Sequence, residues 1–255
     1  MSAVSGRTID RGPAQPSQIA GLLFDKDGTL LLYDESWAPI NREAARLAAA
    51  GDAALEPQLL AAGGMDPVSG KTRADSLFAA GNAAEIAAGL VSAGSPVDAD
   101  ELTVALDALF VRGADFAVPV TDLATLFASL KARGLKLGVA SSDNERSIRR
   151  TADRLGFADF LDFVAGYDSG HGVKPGPGML LGFCAATGLS PVEVAMVGDN
   201  RHDMHMGINA GAGLKVAVLS GTGTRETLAD TADIILDDIS ALETLLPMPA
   251  TTLSV

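Results

Sequence analysis

From Val118 onward the chain alternates short apolar runs with helix-length segments, and that alternation constrains its fold more than any other feature. The runs are LKLGVAS (135–141), FVAG (163–166), VAMVG (194–198), LKVAVLS (214–220) and DIIL (233–236). Between them lie TDLATLFASLKARG, which reads as an amphipathic helix ending at Gly134, and helical stretches over 145–156, 176–187 and 203–211. Strands separated by helices pair in parallel, with right-handed crossovers. The expected class is α/β, with a Rossmann-like parallel sheet at its core.

A further apolar run stands far upstream, in LLFDKDGTL (22–30). The run itself is too short to separate a buried strand from a piece of helix, but the Gly28 that follows favours a strand, expected over 20–25. Asp25 then sits at the carboxyl end of that strand, the edge where open α/β sheets place their ligands. Asp25 and Asp27 repel each other unless positive charge lies beside them. A divalent cation is the economical answer, and hard oxygen ligands suit Mg²⁺.

The segment between the first run and the rest reads differently. Residues 34–117 carry Ala/Leu-rich, helix-favouring stretches such as REAARLAAAGDAAL and DADELTVALDALFVRGADF, punctuated by Gly63-Gly64 and Ser95-Pro96. Asp98 and Asp100 lie where a helix N-cap is expected. A helical insert is the simplest account. The expected organisation is a tail over 1–19, a core from 20–33 and 118–255, and a helical insert over 34–117.

Composition excludes several partners. The net charge is -13 over 255 residues, which argues against nucleic-acid or anionic-membrane binding. A small anion held by a few local cations stays open. No run approaches the ~18 apolar residues of a membrane span. The N-terminal stretch lacks the apolar centre of a secretory signal. Cys184 is the single cysteine, which points to a reducing, cytoplasmic setting and a buried apolar role. Oligomeric state is left as monomer or homodimer.

Four clusters fall at expected strand ends: Asp25/Asp27, Ser141 with Ser142, Lys174 in GHGVKPGPG, and Asp199/Asp203 in GDNRHD. In a parallel sheet all carboxyl ends face one way, so remote segments can share one crevice. Acids for a metal, one ammonium, hydroxyls and turn N–H groups are the parts phosphoryl transfer needs. His171, His202 and His205 invite a zinc reading, but no third ligand stands at recognisable spacing, and they read as surface or supporting histidines.

D-x-D-G-T, then Ser after an apolar strand, then Lys before Pro, then G-D-x-x-x-D, in that order, resembles the haloacid dehalogenase (HAD) superfamily. The resemblance spans residues 20 to about 236 and looks nearest to its phosphoglycolate-phosphatase-like members. It implies a HAD fold whose helical insert is a C1-type cap, and an enzyme acting on a small phosphorylated metabolite with Mg²⁺ as cofactor. Asp25 would be the nucleophile and Asp27 the general acid and base. Ser141, Ser142 and Lys174 would hold the phosphoryl group, with the backbone around Lys26. Asp25, Asp199 and the Asp27 carbonyl would bind the metal, supported by Asp203 and Asn200.

Asp27 bears on the reaction. Members that cleave carbon–halogen bonds need no acid for an alkoxide, so Asp27 favours turnover of phosphate esters. A sugar phosphomutase (β-phosphoglucomutase-like) on the same nucleophile is the alternative, and a dehalogenase a more distant one. Lys71 and Arg73, in the polar segment 63–76, read either as ordinary exposed charges or as a pair for a second negative group such as a carboxylate. The second reading fits a small phosphorylated acid such as 2-phosphoglycolate.

Overall fold

The structure is a computed structural model, and it describes residues 18–246. Its six strands are β1 (Gly21–Phe24), β2 (Lys136–Ala140), β3 (Phe163–Ala165), β4 (Val194–Gly198), β5 (Leu214–Val218) and β6 (Ile234–Leu236). They form one parallel sheet in the order β3-β2-β1-β4-β5-β6. Each expected apolar run is a strand; the run 194–198 keeps its bounds and the others lose one or two residues.

β1 lies at the centre because both of its faces are covered. Leu22 and Phe24 point into a core with Phe127, Leu137, Val139, Val197 and Val216. Leu23 points the other way, onto Phe183, Met196 and Met206. Burial on both faces explains why the strand is a continuous apolar run without alternation. Cys184 is a free thiol half-way along the second core, packed as a small apolar side chain.

The order places a switch point between β1 and β4. From β1 the chain winds outward to β2 and β3, whereas β4, β5 and β6 wind outward in the other direction. Ligands of open α/β sheets bind at such a point, outside the carboxyl ends of the strands. Asp25 follows β1 and Asp199 follows β4.

After β1 the chain forms a block of five α-helices before it returns to the sheet: α1 (Tyr33–Ala49), α2 (Glu56–Gly63), α3 (Leu77–Ala80), α4 (Ala83–Ser92) and α5 (Ala99–Gly113). They bury a core of their own from Ile40, Ala44, Ala48, Leu59, Phe78, Ile86, Leu90, Leu106 and Phe110. Small alanines on α1 let the helices approach closely, which accounts for the Ala-rich composition of this block. Asp98 caps α5, accepting from the N–H groups of Asp100 and Glu101, while Asp100 lies inside the first turn.

The remaining helices flank the sheet: α6 (Leu123–Ala132), α7 (Glu145–Arg154), α8 (Gly178–Thr187), α9 (Arg201–Ala210), α10 (Arg225–Leu228) and α11 (Leu242–Leu245). α9 starts two residues earlier than its sequence pattern suggests, because Asn200 caps it. Residues 1–17 of the expected tail lie outside the described residues. Ile19, placed in that tail from sequence, is buried in the sheet core. Among the described residues no helix is long and apolar enough to cross a membrane.

Candidate active site

The strand-end residues converge on one cleft at the switch point. Asp25, Asp27, Ser141, Ser142, Lys174, Asp199, Asn200 and Asp203 all line it, although they come from four separate segments. Tyr33, Trp37, Phe78, Ile86 and Phe110 of the helical block form the facing wall.

Lys174 joins three of these segments. Its Nζ donates to Asp25 Oδ1 at 2.5 Å and to Asp203 Oδ1 at 2.6 Å. All three side chains are buried. Burial works against the ammonium's charge, but Asp203 and Asp25 outweigh it and hold the lysine protonated well above its ordinary range. Asp203 is itself fixed by α9, where its Oδ2 accepts from the Asn200 N–H at 3.1 Å. Asn200 and Asp203 thus form a reciprocal cap, and the cap aims Asp203 at Lys174.

The acids are crowded. Carboxylate oxygens of Asp25, Asp199 and Asp203 lie within 4.8 Å of one another. Burial raises the Asp25 pKa to about 6, against the lowering effect of Lys174. Burial, then the charges of Asp25 and Asp203, push Asp199 well above the usual carboxylate range. Negative charge at this point is therefore undercompensated by the protein. A hard divalent cation fits that deficit and that donor set, so the residues suit Mg²⁺.

Asp199 is aimed by backbone that could not carry side chains. Its Oδ2 accepts from the Thr222 N–H at 2.8 Å, and Thr29 donates to its Oδ1 at 3.5 Å. A Cβ on Gly28 would stand 2.6 Å from the Asp199 carboxylate, and Gly28 has φ of +85°. A Cβ on Gly221 would stand 2.0 Å from Asp199 Oδ2. Ser220 then ties this loop to the first one, donating to the Gly28 carbonyl at 2.7 Å.

Asp27 is held from the other side. Trp37 Nε1 donates to its Oδ1 at 2.6 Å, and Lys26 Nζ lies 3.0 Å from the same oxygen. Burial raises the Asp27 pKa to about 6, with Lys26 acting against it. Lys26 also donates to Asp143 Oδ2 at 2.9 Å and lies 5.3 Å from the Trp37 ring centroid. Its side chain is turned away from the cleft that Asp25 faces, so the expected contribution of Lys26 to phosphate binding is confined to its backbone. Ser141 is buried, and its Oγ accepts from the Asp143 N–H at 3.1 Å.

Lys71 and Arg73 are exposed and outside the cleft lining. The expectation that they meet a second anion has no counterpart in this geometry. Of the three histidines, His202 lines the cleft, whereas the His171 ring packs at a tilt against Phe163, 5.3 Å between centroids. The sequence alone assigns no role to Asp143, Trp37, Thr29 or Thr222. Asp143 carried a visible signal, an acid two residues beyond Ser141. Trp37 carried a weaker one, as the single tryptophan four residues after Tyr33.

Comparison with known proteins places this geometry in a family. The family model for haloacid dehalogenase-like hydrolases matches residues 19–211. A pyrophosphatase PpaX from Bacillus cereus is 34% identical over 44% of this chain and 52% of its own length. A phosphoglycolate phosphatase from Rhodospirillum rubrum is 32% identical over 49% of this chain and 51% of its own. The chain thus spans about half the length of the relatives it matches. The solved structure of CbbY from Rhodobacter sphaeroides, in complex with xylulose-(1,5)-bisphosphate, superposes with a TM-score of 0.68. It is 20% identical and covers 89% of this chain and 99% of that one, a likeness of fold. The match over most of the chain, on a sheet whose strand ends gather those acids and that lysine, makes this chain a member of the haloacid dehalogenase-like hydrolase family.

Proposed function

We propose that the protein is a phosphatase that hydrolyses a small phosphomonoester through an aspartyl-phosphate at Asp25. The observation that carries this reading is the contact of Lys174 with Asp25 and Asp203 beside Asp199, at the switch point of the sheet. An ionised carboxylate, an ammonium and a cluster of acids suited to a cation are what in-line transfer of a phosphoryl group demands.

Asp25 attacks phosphorus as the ester P–O bond breaks, and Asp27 delivers a proton to the departing alkoxide. Water then attacks the phosphoenzyme, Asp27 takes its proton, and orthophosphate leaves as Asp25 is restored. Ser141, Ser142 and the N–H groups after Asp25 hold the equatorial oxygens together with Lys174. Mg²⁺ bound by Asp25, Asp199 and the Asp27 carbonyl would screen the repulsion between Asp25 and the incoming phosphate. The helical block covers the cleft and meets the leaving group, in the manner of a cap.

The relatives' names span pyrophosphate, phosphoglycolate and a sugar bisphosphate, and a phosphoryl group is what they share. Asp27, poised between Lys26 and Trp37, favours ester hydrolysis over carbon–halogen cleavage. The test is a panel of phosphomonoesters assayed with Mg²⁺ and with EDTA, on the wild type and Asp25→Asn. Cation-dependent release of orthophosphate that Asp25→Asn abolishes is expected. Turnover that survives either change would refute the mechanism, and isomerisation of a sugar phosphate without net orthophosphate release would identify a mutase instead.

A further inference from the structure

The cleft has two unlike halves. The half beneath the helical block is walled by Tyr33, Trp37, Phe78, Ile86 and Phe110. The half at the strand ends carries the carboxylates of Asp25, Asp27, Asp143, Asp199 and Asp203. Among the described residues that line the cleft, Lys174 is the one lysine or arginine, and Asp25 and Asp203 already engage it. Lys26 is spent on Asp27 and Asp143 behind the cleft. A cation at the acid cluster together with Lys174 can balance one phosphoryl group. No positive side chain remains for another anion, and the surrounding carboxylates would repel it.

Two polar atoms of the lining have no partner. His202 Nδ1 and Asn200 Nδ2 are both buried and unbonded. A buried polar atom left without a hydrogen bond costs stability, and a ligand hydroxyl placed there would remove that cost. The backbone N–H of His202 donates to Asn200 Oδ1 at 3.1 Å, which holds the two residues side by side at the start of α9.

We propose that the leaving alcohol of the substrate is uncharged and bears an apolar face, lying against Phe78, Ile86 and Phe110 while a hydroxyl reaches His202. This rests on the phosphatase reading above and narrows its substrate class. It sets the protein apart from enzymes that pair a carboxylate or a second phosphate next to the scissile ester with an arginine or lysine, because the wall offers neither.

Matched esters test it. 2-Hydroxyethyl phosphate and 2-phosphoglycolate differ by a hydroxymethyl group in place of a carboxylate, and phenyl phosphate and 4-carboxyphenyl phosphate differ by one carboxylate. With the full chain and Mg²⁺, the neutral member of each pair should have the higher kcat/KM, on the order of tenfold or more. Equal values, or a preference for the anionic member, would overturn the inference. Ala80→Lys sets an ammonium at a half-buried position of the wall. It should move the ratio toward 2-phosphoglycolate by about fivefold, and an unmoved ratio would also count against the inference. If no ester is cleaved above the Asp25→Asn background, the phosphatase reading itself falls and takes this one with it. If cleavage depends on Asp25 but favours the anions, only the present inference falls.

Discussion

Trp37 Nε1 donates a 2.6 Å hydrogen bond to Asp27 Oδ1, so a side chain of the helical block holds the carboxyl group proposed as acid and base. The indole is itself braced, edge-on to Phe110 at 5.0 Å and stacked with Tyr33 at 6.4 Å. Trp37→Phe keeps the packing and removes the donor. A hydrogen bond to a charged group is worth about 1.5–3 kcal/mol, so kcat for an alkyl phosphate should fall roughly tenfold or more with little change in KM. p-Nitrophenyl phosphate, whose leaving group needs no proton, should lose less. Equal losses on both esters would show that the indole does not act through Asp27.

Lys174 neutralises two buried carboxylates at once, and removing it should be felt in stability as well as turnover. Lys174→Met leaves Asp25 and Asp203 buried without their partner, a change that typically costs about 3–5 kcal/mol. Urea unfolding should report that loss in protein free of divalent cations. Adding Asp203→Asn should recover part of the stability and none of the activity. Wild-type stability in Lys174→Met would contradict the structural role.

The raised carboxylates make cation binding and pH interdependent. Asp25 and Asp27 hold protons up to about pH 6 in the folded chain, against 3.8 for a free aspartate. The folded state therefore binds protons more tightly than the unfolded one across that window. Stability without a divalent cation should decline as pH rises through it, because the acids must ionise while buried away from water and in mutual repulsion. Mg²⁺ relieves that repulsion and competes with those protons. Its gain in melting temperature should be larger at about pH 7.5 than at about pH 5. An equal gain at both values would place the cation elsewhere.

Gly221→Ala probes how Asp199 is aimed. A methyl group there would meet Asp199 Oδ2 at 2.0 Å, so the carboxylate must swing away. Mg²⁺ affinity, measured by calorimetry, should drop about tenfold or more, as for changes that reorient a metal ligand. The sheet core lies away from this loop, and far-ultraviolet circular dichroism should stay close to wild type. Unaltered Mg²⁺ affinity would remove Asp199 from the metal site.

Much of this was legible because the sheet is parallel. Once the apolar runs are strands, their carboxyl ends share one edge, and Asp25, Ser141, Lys174 and Asp199 follow without any distance being known. Two further features depend on orientation and were not legible. Lys26 is adjacent to Asp25, and neighbouring residues at a strand end face opposite ways, yet only the positions of Asp143 and Trp37 reveal what it pairs with. Lys71 and Arg73 belong to a segment that folds back on itself, where Met65 and Thr72 form an antiparallel bridge. A polar loop in sequence carries no sign of which way it will turn.

The strand order also governs how the chain comes together in time. Of the described strands β1 emerges first, yet its neighbours in the sheet start at residues 136 and 194, so it waits for partners on both sides. A nascent chain can assemble the local helical block long before then, because those contacts are near in sequence. The acid cluster is complete only after the segment bearing Asp199 and Asp203 docks, and Asp199 is aimed only once Thr222 follows. A chain halted short of that point would carry the folded helical block beside an unpaired edge of β1, a form exposed to aggregation and to proteases.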